Sequence, residues 1–414
     1  LIGGPSRQLW ASNLFIKAGV GYDFLSHKDF LDSIAVDGVD SSLTSWALTT
    51  TYLDDVKGLF SVRYSPRRDR RLELFTSYEQ SAEFIRSSSR GRIAPKFGNS
   101  RLDLSAEINT KYRYRGQSEI GDSYVRASGR AKLSRPLNPS LTMVMQLRGD
   151  GVKFRDLASY NYNYIRASGE IGIEKIFSNF STIDAGFRFG QRLVADSSEL
   201  DYTNLGLGAF VLAFHRAGEL DLSIFWESKD YQYADDLYDH AQGMLDARHK
   251  LRFSEQWFSR QRFRLETVRY RGSSVTNLDY TRFGMALLGG WEHSRFAVAF
   301  GPTYERLSEA GEGAGGLEDY SEIGLRTELD YINPVLAFCS IQSETGQRSL
   351  ANQDEALNDI FSDFVYERLT LIGDINLGHG LSLDLLLSSE WEWHDQPRDD
   401  SRLYLFSSNL LYSF

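Results

Sequence analysis

Cysteine is almost absent: Cys339 stands alone in 414 residues. That excludes an internal disulfide, and no C-x-x-C or C-x-x-C-H pattern offers the usual zinc or haem attachment. Cys339 reads as a small apolar wall residue. Proline is scarce at 8 and methionine at 4. No stretch approaches 18 consecutive apolar residues, which excludes a membrane-spanning helix. The segment Leu1-Ile2-Gly3-Gly4 lacks a charged region followed by an apolar core, so the chain reads as mature, its export signal already cleaved. A formal net charge of −10 argues against a nucleic-acid surface.

What the chain has is aromatic residues, 22 Tyr, 26 Phe and 7 Trp, and alternation. From Leu381 to Trp393 the odd positions read Leu381, Leu383, Leu385, Leu387, Ser389, Trp391, Trp393. The even positions read Ser382, Asp384, Leu386, Ser388, Glu390, Glu392. Side chains of a strand point to opposite faces, so this segment has one apolar and one mainly polar face. Leu102, Leu104, Ala106 and Ile108 likewise oppose Asp103, Ser105, Glu107 and Asn109; Leu220, Leu222, Ile224 and Trp226 oppose Asp221, Ser223, Glu227 and Lys229. Sixteen such segments begin near 101, 121, 140, 162, 181, 201, 219, 239, 259, 278, 295, 318, 335, 362, 381 and 402. Before them, strands are expected near 13–27 and 42–54, with two more between 57 and 97. The expected total is 18 or 20, even if both ends lie on one side of a membrane. Residues 1–10 form a lead-in, and 11–414 form a single domain.

Connections alternate as well. Tight ones carry Asn138-Pro139, Ser178-Asn179, Ala217-Gly218, Asn333-Pro334 and His379-Gly380, all turn formers. Longer acidic or Gly-rich ones lie at 29–41, 233–240, 309–318, 349–362 and 395–402. The strands are longer than the five or six residues usual in soluble sheets, about 13–17. No segment of helical period is present to cover an open sheet, so closure removes its edges. The expected fold is all-β: a transmembrane, antiparallel, up-and-down barrel, apolar outside and charged inside. A mean hydropathy of −0.36 agrees, because a barrel wets one side of every strand. Trp226, Trp391, Trp393, Tyr404, Tyr412 and Phe414 are expected at the membrane interfaces.

The last strand reads Arg402-Leu403-Tyr404-Leu405-Phe406-Ser407-Ser408-Asn409-Leu410-Leu411-Tyr412-Ser413-Phe414, with Tyr404, Phe406, Leu410, Tyr412 and Phe414 on one face. Here the chain resembles Gram-negative outer-membrane β-barrel proteins of the porin and exporter type, whose final strand ends in Phe after alternating apolar residues. Ser408 departs from that pattern. The resemblance implies a bacterial outer-membrane location, contact with lipid and lipopolysaccharide, and recognition of the last strand by the barrel-assembly machinery.

A barrel of this size leaves an aqueous channel unless something plugs it. The leading expectation is a channel or export conduit for hydrophilic solute or polymer. Fixed lumenal charge would select what enters: Glu107, Arg126, Arg130, Arg148, Glu170, Arg188, Arg192, Glu227, Arg248, Arg252, Arg264, Arg326 and Glu328. Interspersed signs predict weak net ion selectivity. The alternative is the membrane-embedded subunit of a secretion, polysaccharide-export or surface-attachment assembly, with periplasmic or outer-membrane partner proteins. A third reading, an outer-membrane hydrolase, would rest on Glu390, Glu392, His394 and Asp395. No G-x-S-x-G motif or oxyanion donor accompanies them, so no enzyme is expected. No cofactor or metal is expected either. The acidic loops at 235–239 and 354–355 lack EF-hand spacing and read as solvated charge.

Overall fold

The computed structural model describes residues 14–32, 45–65, 72–82, 84–114, 123–155, 162–195, 197–232, 239–272, 279–310, 319–350, 363–395 and 400–413. The chain opens with β1 (Leu14–Asp32), β2 (Ser45–Tyr64), β3 (Leu72–Gln80), β4 (Phe84–Ile93) and the two-residue β5 (Lys96–Phe97). Next come β6 (Ser100–Arg113), β7 (Tyr124–Asn138), β8 (Leu141–Phe154), β9 (Tyr164–Ile176) and β10 (Thr182–Val194). After a 3-10 turn at Ser198–Leu200 follow β11 (Tyr202–His215), β12 (Gly218–Tyr231), β13 (His240–Arg252), β14 (Trp257–Tyr270) and β15 (Asp279–His293). The last are β16 (Phe296–Ala310), β17 (Tyr320–Asn333), β18 (Ala337–Leu350), β19 (Phe364–Gly378), β20 (Leu381–His394) and β21 (Ser401–Ser413).

Each wall strand pairs antiparallel with the next, and β4 pairs with β6 past the small β5 ladder. β21 pairs with β1 from Ser401↔Asp29 to Ser413↔Lys17 and closes the ring. The barrel therefore has 20 strands. Closure satisfies every ladder edge internally, which lipid demands. No helix among the described residues is long and apolar enough to cross a membrane.

The sixteen segments expected from residue 101 onward are β6 to β21. The first hundred residues hold four wall strands with different bounds. β1 runs to Asp32, into the connection expected at 29–41, and β2 runs ten residues past the expected end at 54, to Tyr64. Asp54-Asp55 and Gly58 look like turn residues in sequence. The ladder nevertheless carries them straight through, as Asp55↔Asp23, Asp54↔Phe24 and Gly58↔Val20. The lead-in 1–10 and Phe414 lie outside the described residues.

Alternation becomes two faces. On β17, Ile323 is 64% and Leu325 52% exposed on the outer face, while Glu322 and Gly324, which alternate with them on the inward face, are buried. The Gly residues of the wall let aromatic rings lie flat on it. Phe258 sits where a Cβ of Gly290 would be, and Tyr366 covers Gly346 and Gly324. Phe258, Leu288 and Ala299 form a small inward apolar cluster.

The two ends of the barrel are built differently. At one end turns are short: Asn138, Asn179 and Asn333 each accept a backbone N–H two residues on, and His379 takes a left-handed conformation at φ 53°. At the other end, the residue at or just before the start of each of eight descending strands, β7 to β21, caps the strand before it. Ser123, Asn163, Asp201, Asp239, Asp279, Asp319, Asp363 and Asp400 accept the N–H of Arg113, Phe154, Val194, Tyr231, Tyr270, Glu309, Leu350 and His394, at 2.5–3.0 Å. Asp239 is thus a buried cap and not the solvated loop charge expected from sequence. The other acidic loop residues named above, 235–238 and 354–355, lie outside the described residues.

Candidate functional site: the charged lumen

Strand parity places all thirteen lumenal candidates on the inward face, opposite exposed apolar neighbours such as Ile108, Val125, Leu147, Ile171, Phe187 and Leu325. Most are consumed by ion pairs. Arg126 shares Asp150 with Arg166 at 3.7 and 2.9 Å. Arg188 reaches Glu170 at 3.4 Å, and Arg264 reaches Glu266 at 3.1 Å. Arg252 and Lys250 both hold Glu292. Arg326 and Arg260 hold Glu328 at 2.8 and 2.6 Å. Glu227 accepts from Asn204 and pairs with Lys229. Glu107 lies 3.8 Å from Arg90. Arg192 donates to the Leu200 carbonyl and lies over the Tyr202 ring at 4.5 Å.

Like-charged residues face each other directly across several ladders, among them Lys250–Arg260, Arg166–Arg192, Arg248–Arg262 and Arg130–Arg148, an arrangement that is destabilising unless compensated. Arg248 opposes Arg262, and Asp246 sits between them, bonded to both at 2.9 and 3.0 Å. Arg130 opposes Arg148 with no such bridge. Arg130 donates to the neutral Gln146, and among the described residues neither arginine has a carboxylate in ion-pair range. Lys132, next on the same face, has none either.

Beside them, toward the short-turn end, β2 to β7 form an inward recess of about 420 Å³. Arg63, Arg90, Arg92, Arg101, Arg130 and Lys132 line it against two acids, Glu73 and Asp103. Asp103 is already held by Arg92 and Arg101, and Glu73 by Arg63. Five of these six cations were not singled out in sequence, although their parity was readable. What singles them out is the register that brings five strands together around one space.

The interface aromatics are outward. Trp391 donates to the Tyr404 hydroxyl at 2.7 Å near the long-loop end, with Trp393 above it. Trp226, 44% exposed, lies deeper, beside Leu207 in the ladder. Tyr412 lies at the short-turn end. Of the quartet considered for catalysis, Glu392 and His394 lie 3.8 Å apart, and each side chain is engaged elsewhere as well. Glu390 is bound to Arg368 at 2.5 Å, Glu392 accepts from Ser401, and the His394 ring packs on Phe364 at 4.6 Å. Among the described residues, no group of three or more His, Cys, Asp or Glu is placed to hold a metal ion.

No family model and no curated protein matches the chain. Solved structures do. OccAB3 of Acinetobacter baumannii is similar over 97% of this chain and 99% of its own, with a TM-score of 0.52 and 9% identity. A BenF-like porin from Pseudomonas fluorescens is similar over 96% and 99%, with the same TM-score and identity. The chain has the closed β-barrel fold of these outer-membrane proteins. The siderophore receptor PirA of Pseudomonas aeruginosa scores equally, with 80% of its length covered. The shared fold therefore fixes the wall and its closure, and function resides in the lumen it encloses.

Proposed function

We propose that this chain is a bacterial outer-membrane channel for hydrophilic solutes, and that it engages anionic groups along the β4–β8 wall. The lipid-facing outer belt, the closed-barrel fold and the length-wide similarity to porins support the location and the channel. Among the described residues no strand or helix lies inside the ring, since every strand belongs to the wall. The observation that carries the anion preference is the Arg130–Arg148 juxtaposition with Lys132 and the basic recess beside it. Like charges held together without a bridging acid lose stability, and a passing anion restores it. Elsewhere in the lumen most of the arginines are paired with acids, and the acids Glu174–Asp184 and Asp374–Asp384 face each other across their ladders, so the preference is local and modest.

Planar-bilayer recording tests both parts. The purified protein is expected to open stable channels and, under a salt gradient, to give a reversal potential on the anion side. The double variant Arg130→Glu, Arg148→Glu is expected to move that potential toward cations. A folded barrel that never conducts removes the channel. An unchanged potential in the double variant removes the anion site and leaves the channel standing.

A further inference from the structure

On the outer face, near the short-turn end, four polar side chains touch one another where neighbouring strands present apolar residues to lipid. His215 ends β11, His249 lies on β13, and Ser259 and Gln261 lie on β14. Parity fixes their side of the wall: His215 shares its face with the exposed Leu207, and Gln261 shares its face with the exposed Phe263 and Trp257. In the ladder His215 pairs with Gly218, and His249 pairs with Leu220, so the two rings meet diagonally across β12. Gly218 puts no side chain between them, and a Cβ there would run into the Lys250 carbonyl.

The ring centroids are 5.3 Å apart, and the two Nε2 atoms are 3.1 Å apart. The far nitrogen of each ring is held. His249 Nδ1 lies 2.9 Å from Gln261 Oε1, and Gln261 Nε2 donates to Ser259 Oγ at 2.8 Å. The amide therefore turns its oxygen to the ring, Nδ1 of His249 carries the proton, and its Nε2 presents a lone pair toward His215. His215 Nδ1 accepts the Ala217 N–H over a long 3.3 Å. A backing oxygen that fixes the tautomer is what a metal-ligating imidazole needs. Two nitrogens bound at about 2.0–2.1 Å to one ion and 3.1 Å apart subtend about 100° at it, between octahedral and tetrahedral angles.

We propose that His215 and His249 form a two-imidazole site for a divalent transition-metal ion such as Zn²⁺, Ni²⁺ or Cu²⁺, on the outer wall at the short-turn boundary, with water completing the shell. Without metal the same gap holds a hydrogen bond from His215 Nε2–H to His249 Nε2. On binding, the His215 proton leaves Nε2 and, through solvent, Nδ1 takes one up; the weak Ala217 contact is given up and the net proton count is unchanged. Imidazole suits these ions and not Mg²⁺ or Ca²⁺.

The test uses the full chain, purified in detergent with any affinity tag removed and fold checked by heat-dependent gel migration. Calorimetric titration with Ni²⁺ and Zn²⁺ is expected to give one ion per chain. His215→Gln and His249→Gln should each weaken binding by more than tenfold, and Gln261→Ala by about tenfold through loss of the backing oxygen. His293→Gln, on the neighbouring turn, should leave affinity unchanged. The Cu²⁺ spin-resonance spectrum should show two nitrogen ligands in the parent protein and one in either single His variant. Parent-like affinity in the folded His variants, an equal loss in His293→Gln, or a one-nitrogen spectrum in the parent would overturn the site.

Discussion

Arg130 and Arg148 show how a single residue's partners decide its role. The pair repels across β7 and β8 with only Gln146 beside it, whereas Arg248 and Arg262 share Asp246. Arg148→Gln is therefore expected to raise stability by ~0.2–1 kcal/mol while lowering anion preference. Asp246→Asn should lower stability instead. Urea titration of the protein in lipid vesicles reads both. The rim caps belong to the same scale. Asp279 accepts the Tyr270 N–H at 2.7 Å, so Asp279→Ala should cost about 1–3 kcal/mol in the same titration. These caps were present in the sequence as a recurring dipeptide, Asp201-Tyr202, Asp279-Tyr280, Asp319-Tyr320, Asp363-Phe364, yet nothing local distinguished them from solvated loop acids. Inwardness of each lumenal charge was readable from parity. Its partner was not: Arg260 on β14 bonds Glu328 on β17, and only the register of the strands between brings them together.

At the scale of the strand, period two is what made the wall readable. Sixteen successive segments kept an apolar face and a polar face, and turn formers such as Asn333-Pro334 and His379-Gly380 separated them. The reading failed where composition imitated a turn, at Asp54-Asp55 and Gly58 within β2, because ladder pairing with β1 outweighs local turn preference. Two faces of one strand must also respond differently to the same charge. Leu325→Arg on the lipid side of β17 is expected to cost ~2–4 kcal/mol in vesicle refolding. Gln342→Arg, on the lumen face of β18, gives up the bond from Arg326 at 2.9 Å but should still change stability far less, since it meets water and Glu328 across the ladder. Equal costs at the two positions would contradict the assignment of faces.

The whole molecule is a ring. Twenty strands spaced about 4.8 Å apart and tilted by about 40° give a backbone diameter of roughly 40 Å. Porins and a siderophore receptor are similar to this wall at the same TM-score of 0.52, so the shape says little about the solute. Closure depends on β21, which fills the space between β20 and β1 with twelve- and thirteen-residue ladders. Deleting 401–414 should therefore abolish the heat-dependent gel shift of a closed barrel; a nineteen-strand remnant that still migrated as a compact species would show that the seam can reseal without it.

The pairing of Lys17 with Ser413 sets the two described ends of the chain side by side under the short turns. Joining them and opening the chain instead between 311 and 318 would leave every ladder intact. The new termini would then emerge on the opposite side of the bilayer. In such a ring the starting strand is a convention of the gene, and either compartment can be chosen to display a fused domain without touching the wall.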